Sequence, residues 1–242
     1  NASPWKHRDA LRFLRKHAGC PRFLVALAVG VALGGCGGSK PGNAPARAEV
    51  PPPKPAAPVD NRPVIVAFGD SLTAGFGAEP GNSYPDFLQK ELDRAGIGWR
   101  VVNAGVSGDT TIDGVNRLSE VLGYKPSVVI LEFGGNDGLR GLPLETTRAN
   151  LEQMVATLRT AGVTVILAGM TLPPNYGPEY IRGFEQIYRE LSTKYKLTRI
   201  PFLLEGVATD RSLMQRDGLH PTAKGNEKVA ATVMKYVKPA LH

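Results

Sequence analysis

Ser71 follows five apolar residues, Val64, Ile65, Val66, Ala67 and Phe68, and a Gly69-Asp70 step. Such a run reads as a strand of a parallel sheet buried on both faces. The glycine that ends it marks the carboxyl edge, where open sheets bind ligands. A serine at that edge is either a turn residue or a nucleophile, and a hydroxyl is a useful nucleophile only beside a base. Of four histidines, His7 and His17 fall near the start and His242 is the last residue, which leaves His220 in the stretch Asp217-Gly218-Leu219-His220-Pro221. An aspartate three residues before a histidine can hold one ring nitrogen while the other faces outward, the orienting role of a triad acid.

Two glycine-rich stretches add to this. Asn103-Ala104-Gly105-Val106-Ser107-Gly108-Asp109 and Gly134-Gly135-Asn136-Asp137-Gly138 each follow an apolar run. Glycine allows backbone N–H groups close to a ligand, and an Asn amide adds a fixed donor. Tight turns alone would account for the same glycines. Read as a site, the N–H groups of Ser71 and Gly105 with the Asn136 amide make an oxyanion hole, a set of donors aimed at developing negative charge. Other chemistries find no support. There is no G-x-S-x-G elbow, no Gly-Lys-Ser/Thr phosphate loop and no correctly spaced dinucleotide loop. With one usable histidine and Cys20 and Cys36 both ahead of the folded region, neither a metal site nor a cofactor is expected.

The elements that must position these residues alternate. Apolar runs predict strands at 64–68, 99–103, 128–133, 163–168 and 200–203. Helical spacing of apolar residues predicts the segments between them. The first starts near Ser83 with Tyr84, Phe87, Leu88 and Leu92 inward. The second starts at Thr110, with Asp113 as its capping partner and Ile112, Val115, Leu118 and Leu122 inward. The third buries Leu151, Met154, Val155 and Leu158. The fourth buries Tyr180, Phe184, Ile187, Tyr188 and Leu191. The last follows Pro221 with Val229, Ala230, Val233, Met234 and Val237 inward. This is the α/β class: a three-layer α/β/α sandwich around a five-stranded parallel sheet, flavodoxin-like, in the order 2-1-3-4-5. In that order strands 2 and 3 flank strand 1, so their trailing loops surround Ser71. The His220 loop starts three strand spacings away, roughly 14 Å, and its extended length of about 45 Å spans that gap.

The chain of 242 residues carries a net charge of +7. Residues 1–62 hold ten Lys and Arg against three Asp and Glu, whereas residues 63–242 hold 19 of each sign. The basic character therefore belongs to the first part, and no nucleic-acid partner is implied. Residues 1–36 read as a leader: a long basic region, an apolar run at 23–33 too short to span a membrane, then Leu33-Gly34-Gly35-Cys36. That ending resembles a bacterial lipobox in which Cys36 is lipidated, making the protein a membrane-tethered lipoprotein of the bacterial envelope; periplasmic or outright secretion without the lipid, and an uncleaved anchor, are the other readings. Residues 37–62, rich in Pro, Ala and Gly, form a tether, and residues 63–242 form the folded domain.

Together, Gly69-Asp70-Ser71-Leu72, Gly105, Gly135-Asn136-Asp137 and Asp217-Gly218-Leu219-His220-Pro221 resemble, in order, the four blocks of the SGNH (GDSL) hydrolases. The longer strings 102–111, 134–141 and 172–177 are similar to the bacterial thioesterase I, protease I and lysophospholipase L1 group and related arylesterases. The resemblance implies a metal-independent serine ester hydrolase acting on acyl esters and thioesters. It places Ser71, Asp217 and His220 as the catalytic triad, with Ser71, Gly105 and Asn136 as the oxyanion donors. Leu139, Leu172, Pro173, Pro174 and Tyr176, on the loops after strands 3 and 4, are expected to line the acyl side of the cleft. Two other readings use the same residues: a carbohydrate O-acetyl esterase, and a tethered binding protein without catalysis.

Overall fold

The computed structural model describes residues 60–241. The leader, Cys36 and all but the end of the tether lie outside the described residues. Five parallel strands, β1 (Val64–Gly69), β2 (Arg100–Gly105), β3 (Val128–Glu132), β4 (Thr164–Ala168) and β5 (Thr198–Ile200), form one sheet in the order β2-β1-β3-β4-β5. Every residue of β1 and of β3 is buried, as central strands covered on both faces require. Among the described residues seven α-helices connect or follow them: α1 (Ser71–Ala74), α2 (Tyr84–Arg94), α3 (Thr111–Gly123), α4 (Gly135–Leu139), α5 (Leu144–Thr160), α6 (Pro178–Tyr195) and α7 (Ala223–Val237). Packing of α2 on α7 and of α3 on α5 and α5 on α6 supplies the helical layers.

Local chemistry sets the helix starts. Ser83 N–H donates to Asp86 Oδ2 at 3.0 Å while Asp86 N–H donates to Ser83 Oγ at 3.3 Å, a reciprocal cap that satisfies two otherwise unpaired donors. At α3, Asp113 Oδ2 accepts from both Thr110 N–H at 2.9 Å and Thr110 Oγ1 at 2.6 Å. Under the site, the rings of Phe68 (β1) and Phe133 meet edge to face at 4.7 Å and 75°, a contact worth about 0.5–1.5 kcal/mol beyond its burial.

Three expectations move. Ile112 is 48% exposed; the buried face of α3 is Thr111, Gly114, Leu118 and Val121. Gly114 is the reason, since a Cβ there would fall 2.9 Å from Phe133 and Met154 atoms, so the helix approaches the core along its glycine. The fifth strand ends at Ile200 instead of beginning there, because Pro201 has no N–H to continue the ladder. Strand β2 runs two residues past its expected end, pairing Ala104 with Phe68 and Gly105 with Gly69. That last shift matters for the site.

Candidate active site

The turn that carries Ser71 is built from close approaches. Asp70 caps the four-residue α1 by accepting Leu72 N–H on Oδ1 at 3.0 Å. A Cβ on Gly69 would lie 2.3 Å from Glu132 Oε2 and Thr73 Oγ1, and one on Gly105 would lie 2.2 Å from Ala74 N. Glycine at both strand ends therefore lets α1 sit directly on the sheet edge, with Ser71 as its first residue. Ser71 N–H has no partner among the described residues, as befits the first turn of a helix.

His220 reaches Ser71 from the loop ahead of α7. Its Nε2 lies 2.8 Å from Ser71 Oγ, and its Nδ1 lies 2.7 Å from Asp217 Oδ2. Asp217 Oδ1 accepts the N–H groups of Leu219 at 2.9 Å and His220 at 3.0 Å, and Gly218 supplies the left-handed turn between them with φ +69°. Partial burial pushes the Asp217 carboxyl up, but the bonds from the His220 ring and the two N–H groups outweigh it and hold the group below the ordinary aspartate range. The arrangement can pass a proton from Ser71 to His220 and stabilise the resulting imidazolium.

Gln215 secures the crossing. Its N–H donates to His220 O at 2.7 Å, while Nε2 donates to Pro221 O at 2.9 Å and to Phe76 O at 2.6 Å. The last bond joins the histidine loop to the chain leaving α1, and the Phe76 ring lies 4.6 Å from the His220 ring. Sequence reasoning missed both residues, since nothing local marks a contact between positions 139 residues apart.

The other site residues divide. Asn136, the second residue of α4, faces the same cleft; its Nδ2 donates to Asp109 O at 2.9 Å and to Asp70 Oδ2 at 3.1 Å. Gly105 does not reach the cleft. It is still within β2, and its N–H donates to Asn103 Oδ1 at 2.9 Å. The turn beyond it arrives instead: Gly108, with φ +89°, lines the cleft with Ser107, and its N–H has no partner among the described residues.

A cavity of about 670 Å³ opens beside Ser71 and His220. Leu139, Leu172, Pro173 and Pro174 line it, as expected. Tyr176 does not; its hydroxyl donates to Leu139 O at 2.7 Å and braces that wall from behind. The far wall was missed. Met170, Phe202, Leu204, Met214 and Leu219 complete it; Phe202 lies in the run 200–203 expected as strand, whereas the strand stops at Ile200, ahead of Pro201. Among the described residues no cluster of His, Cys, Asp and Glu could hold a metal ion.

Behind the turn lie two buried carboxyls. Glu132, at the end of β3, accepts Asp70 N–H at 3.1 Å and Thr73 Oγ1 at 2.8 Å, both on Oε2. Burial, then the neighbouring Asp70 charge, raise it well above the ordinary glutamate range. Burial also pushes Asp70 up, to about 6, against the bonds its carboxylate accepts from Leu72 N–H and Asn136 Nδ2.

This fold and site define a class, and comparison with known proteins agrees. Residues 67–228 match the model of the GDSL-like lipase/acylhydrolase family. Esterase TesA of Pseudomonas aeruginosa is 40% identical over 178 residues, 73% of this chain and 89% of that protein. Thioesterase 1/protease 1/lysophospholipase L1 of Escherichia coli K12 is 34% identical over 179 residues, 74% of this chain and 85% of that protein. A crystal structure of TesA superposes with a TM-score of 0.71 at 40% identity, covering 74% of this chain and 99% of that one. The chain belongs to the GDSL-like lipase/acylhydrolase, or SGNH hydrolase, family. It is a carboxylic ester hydrolase of the esterase, thioesterase and lysophospholipase type, and its substrates are small acyl esters or thioesters.

Proposed function

We propose that Ser71, His220 and Asp217 carry out this hydrolysis as a triad. Ser71 Oγ attacks the acyl carbonyl as His220 Nε2 takes its proton, and Asp217 stabilises the imidazolium through Nδ1. The tetrahedral oxyanion is held by the N–H groups of Ser71 and Gly108 and by the Asn136 amide; Gly108 takes the place expected for Gly105. His220 then protonates the leaving alcohol or thiol, and water repeats the cycle to release the acid. The observation that carries this reading is the 2.8 Å contact between Ser71 Oγ and His220 Nε2 at the mouth of the cavity.

The cavity takes the acyl chain. Its walls of Leu, Met, Pro and Phe side chains favour an alkyl group over a sugar, which supports acyl esters over acetylated carbohydrates. The leader and tether support an envelope location, with Cys36 as a lipid attachment site that keeps the domain near membrane-derived acyl substrates. Labelling with a fluorophosphonate tests the chemistry: the wild type becomes covalently modified at Ser71 and loses hydrolysis of p-nitrophenyl butyrate. Activity that survives stoichiometric labelling elsewhere, or no labelling at all, would refute it.

A further inference from the structure

The steps above leave the buried carboxyl pair unused. Glu132 is fully buried, has no salt-bridge partner among the described residues, and its Oε1 has no hydrogen-bond partner. Its Oε2 accepts the backbone N–H of Asp70 at 3.1 Å, which sets the two acidic residues side by side. Two carboxylates cannot both stay ionised in such a place. The proton belongs on Glu132, the deeper group. Asp70 faces the cleft and accepts Leu72 N–H on Oδ1 and Asn136 Nδ2 on Oδ2.

Asn136 shows what the Asp70 charge does. A side-chain amide can sit in two orientations related by a flip, and its acceptors decide which one holds. Here Asp70 Oδ2 and Asp109 O both face Nδ2, at 3.1 and 2.9 Å. The flipped amide would set its own oxygen against both. The same NH2 group lines the cleft beside Ser71 and His220, where an oxyanion can share it.

We propose that Asp70 is a positioning residue for the oxyanion hole: its ionised carboxylate keeps the Asn136 NH2 group turned to the cleft, and a protonated Glu132 holds the charge on Asp70. This rests on Asn136 being an oxyanion donor. Neither carboxyl has a step in the reaction above.

A double-mutant cycle with p-nitrophenyl butyrate tests it. Asp70→Asn places a donor opposite a donor, so kcat falls about tenfold or more while KM changes less than about twofold. In an Asn136→Ala background the same substitution changes kcat by less than about twofold, because the group through which it acts is gone. Glu132→Ala lowers kcat as well, and Glu132→Gln, a neutral donor of the same shape, restores most of it. Equal losses from Asp70→Asn in both backgrounds would overturn the proposal and leave the triad standing, whereas absent fluorophosphonate labelling of the wild type would overturn the functional reading itself. Should a variant fail to fold, carboxyl carbon NMR of the wild type decides at pH 7: Glu132 protonated and Asp70 ionised is expected, and the reverse assignment refutes it.

Discussion

Ser71 Oγ and His220 Nε2 stand 2.8 Å apart although their residues are 149 positions apart in the chain. The sheet order brings the first to the centre of the carboxyl edge, and Gln215 brings the second across from the far side of the sheet. Neither group is a catalyst without the other. Ser71→Ala removes only a hydroxyl from a partly buried helix start, so the protein keeps its melting temperature within a few degrees. Its kcat falls by at least about a thousandfold, the scale at which single triad members act. Stopped assays with p-nitrophenyl butyrate measure this, and a residual rate above that level argues against Ser71 as nucleophile.

Asn136 acts when charge develops, so its loss shows in kcat and not in KM. Asn136→Ala lowers kcat by roughly a hundred- to a thousandfold, the range for removing one oxyanion donor. Asn136→Asp is worse, since the new carboxylate faces both the oxyanion and Asp70. If the Asp variant folds and retains near wild-type kcat, Asn136 is a turn residue only.

The reasons these residues were legible in the sequence are physical, and so are the limits. Val64 to Phe68 form a short unbroken apolar run closed by Gly69, the pattern of a strand covered on both faces; the position of Ser71 follows. Asp217 and His220 lie close in sequence, so their pairing is a local property. Gly105 was misplaced because the end of a strand depends on its partner: β2 pairs with β1 as far as Gly69, which carries Gly105 into the ladder and leaves the cleft to Gly108. Gln215 and Phe76 make contacts of long range that no spacing records. Glu132 falls inside the predicted strand 128–133 with nothing local to mark it, and only the close packing of α1 turns it into a buried acid beside Asp70.

Cys36 lies outside the described residues, and its lipidation is a prediction from the leader alone. Mass spectrometry of protein expressed with its leader in a Gram-negative host should find an acylated Cys36 at the mature N-terminus, in the membrane fraction. Cys36→Ala abolishes the lipid and leaves esterase activity intact. Unmodified Cys36 in the wild type would remove the case for a lipid anchor.

The buried pair predicts a pH signature in stability. Glu132 keeps its proton in the folded state well above the pH at which the unfolded chain, with an ordinary value of about 4.3, releases it. The native state then binds more protons than the unfolded one, so this group lowers stability progressively as pH rises above that value. Asp70 acts in the same direction up to about pH 6. Asp217 has the opposite sign: its lowered carboxyl stabilises above the unfolded value and loses that effect as pH falls. It is common to wild type and variant, and so cancels in their difference. Glu132→Gln has no proton to release. Its melting temperature relative to wild type should therefore rise between pH 5 and pH 8, measured by calorimetry. A constant difference would mean that Glu132 is ionised in the native protein.

Leu172 and Tyr176 should differ although both stand on the loop after β4. Leu172 lines the cavity, and its side chain lies against Gly138, where a Cβ would fall 2.5 Å from Leu172 Cδ2. Leu172→Ala therefore opens space along the acyl path. With p-nitrophenyl esters of increasing length, kcat/KM for long chains should rise relative to short ones, on the scale of about tenfold that a few methylenes in an apolar pocket command. Tyr176 touches the wall from behind through its bond to Leu139 O. Tyr176→Phe loses that bond, worth about 0.5–1.5 kcal/mol, and loosens the wall without reshaping it. Its effect should be modest and equal across chain lengths. A length-dependent change in the Tyr176 variant, or a uniform one in the Leu172 variant, would show that the acyl chain does not run along this side of the cleft.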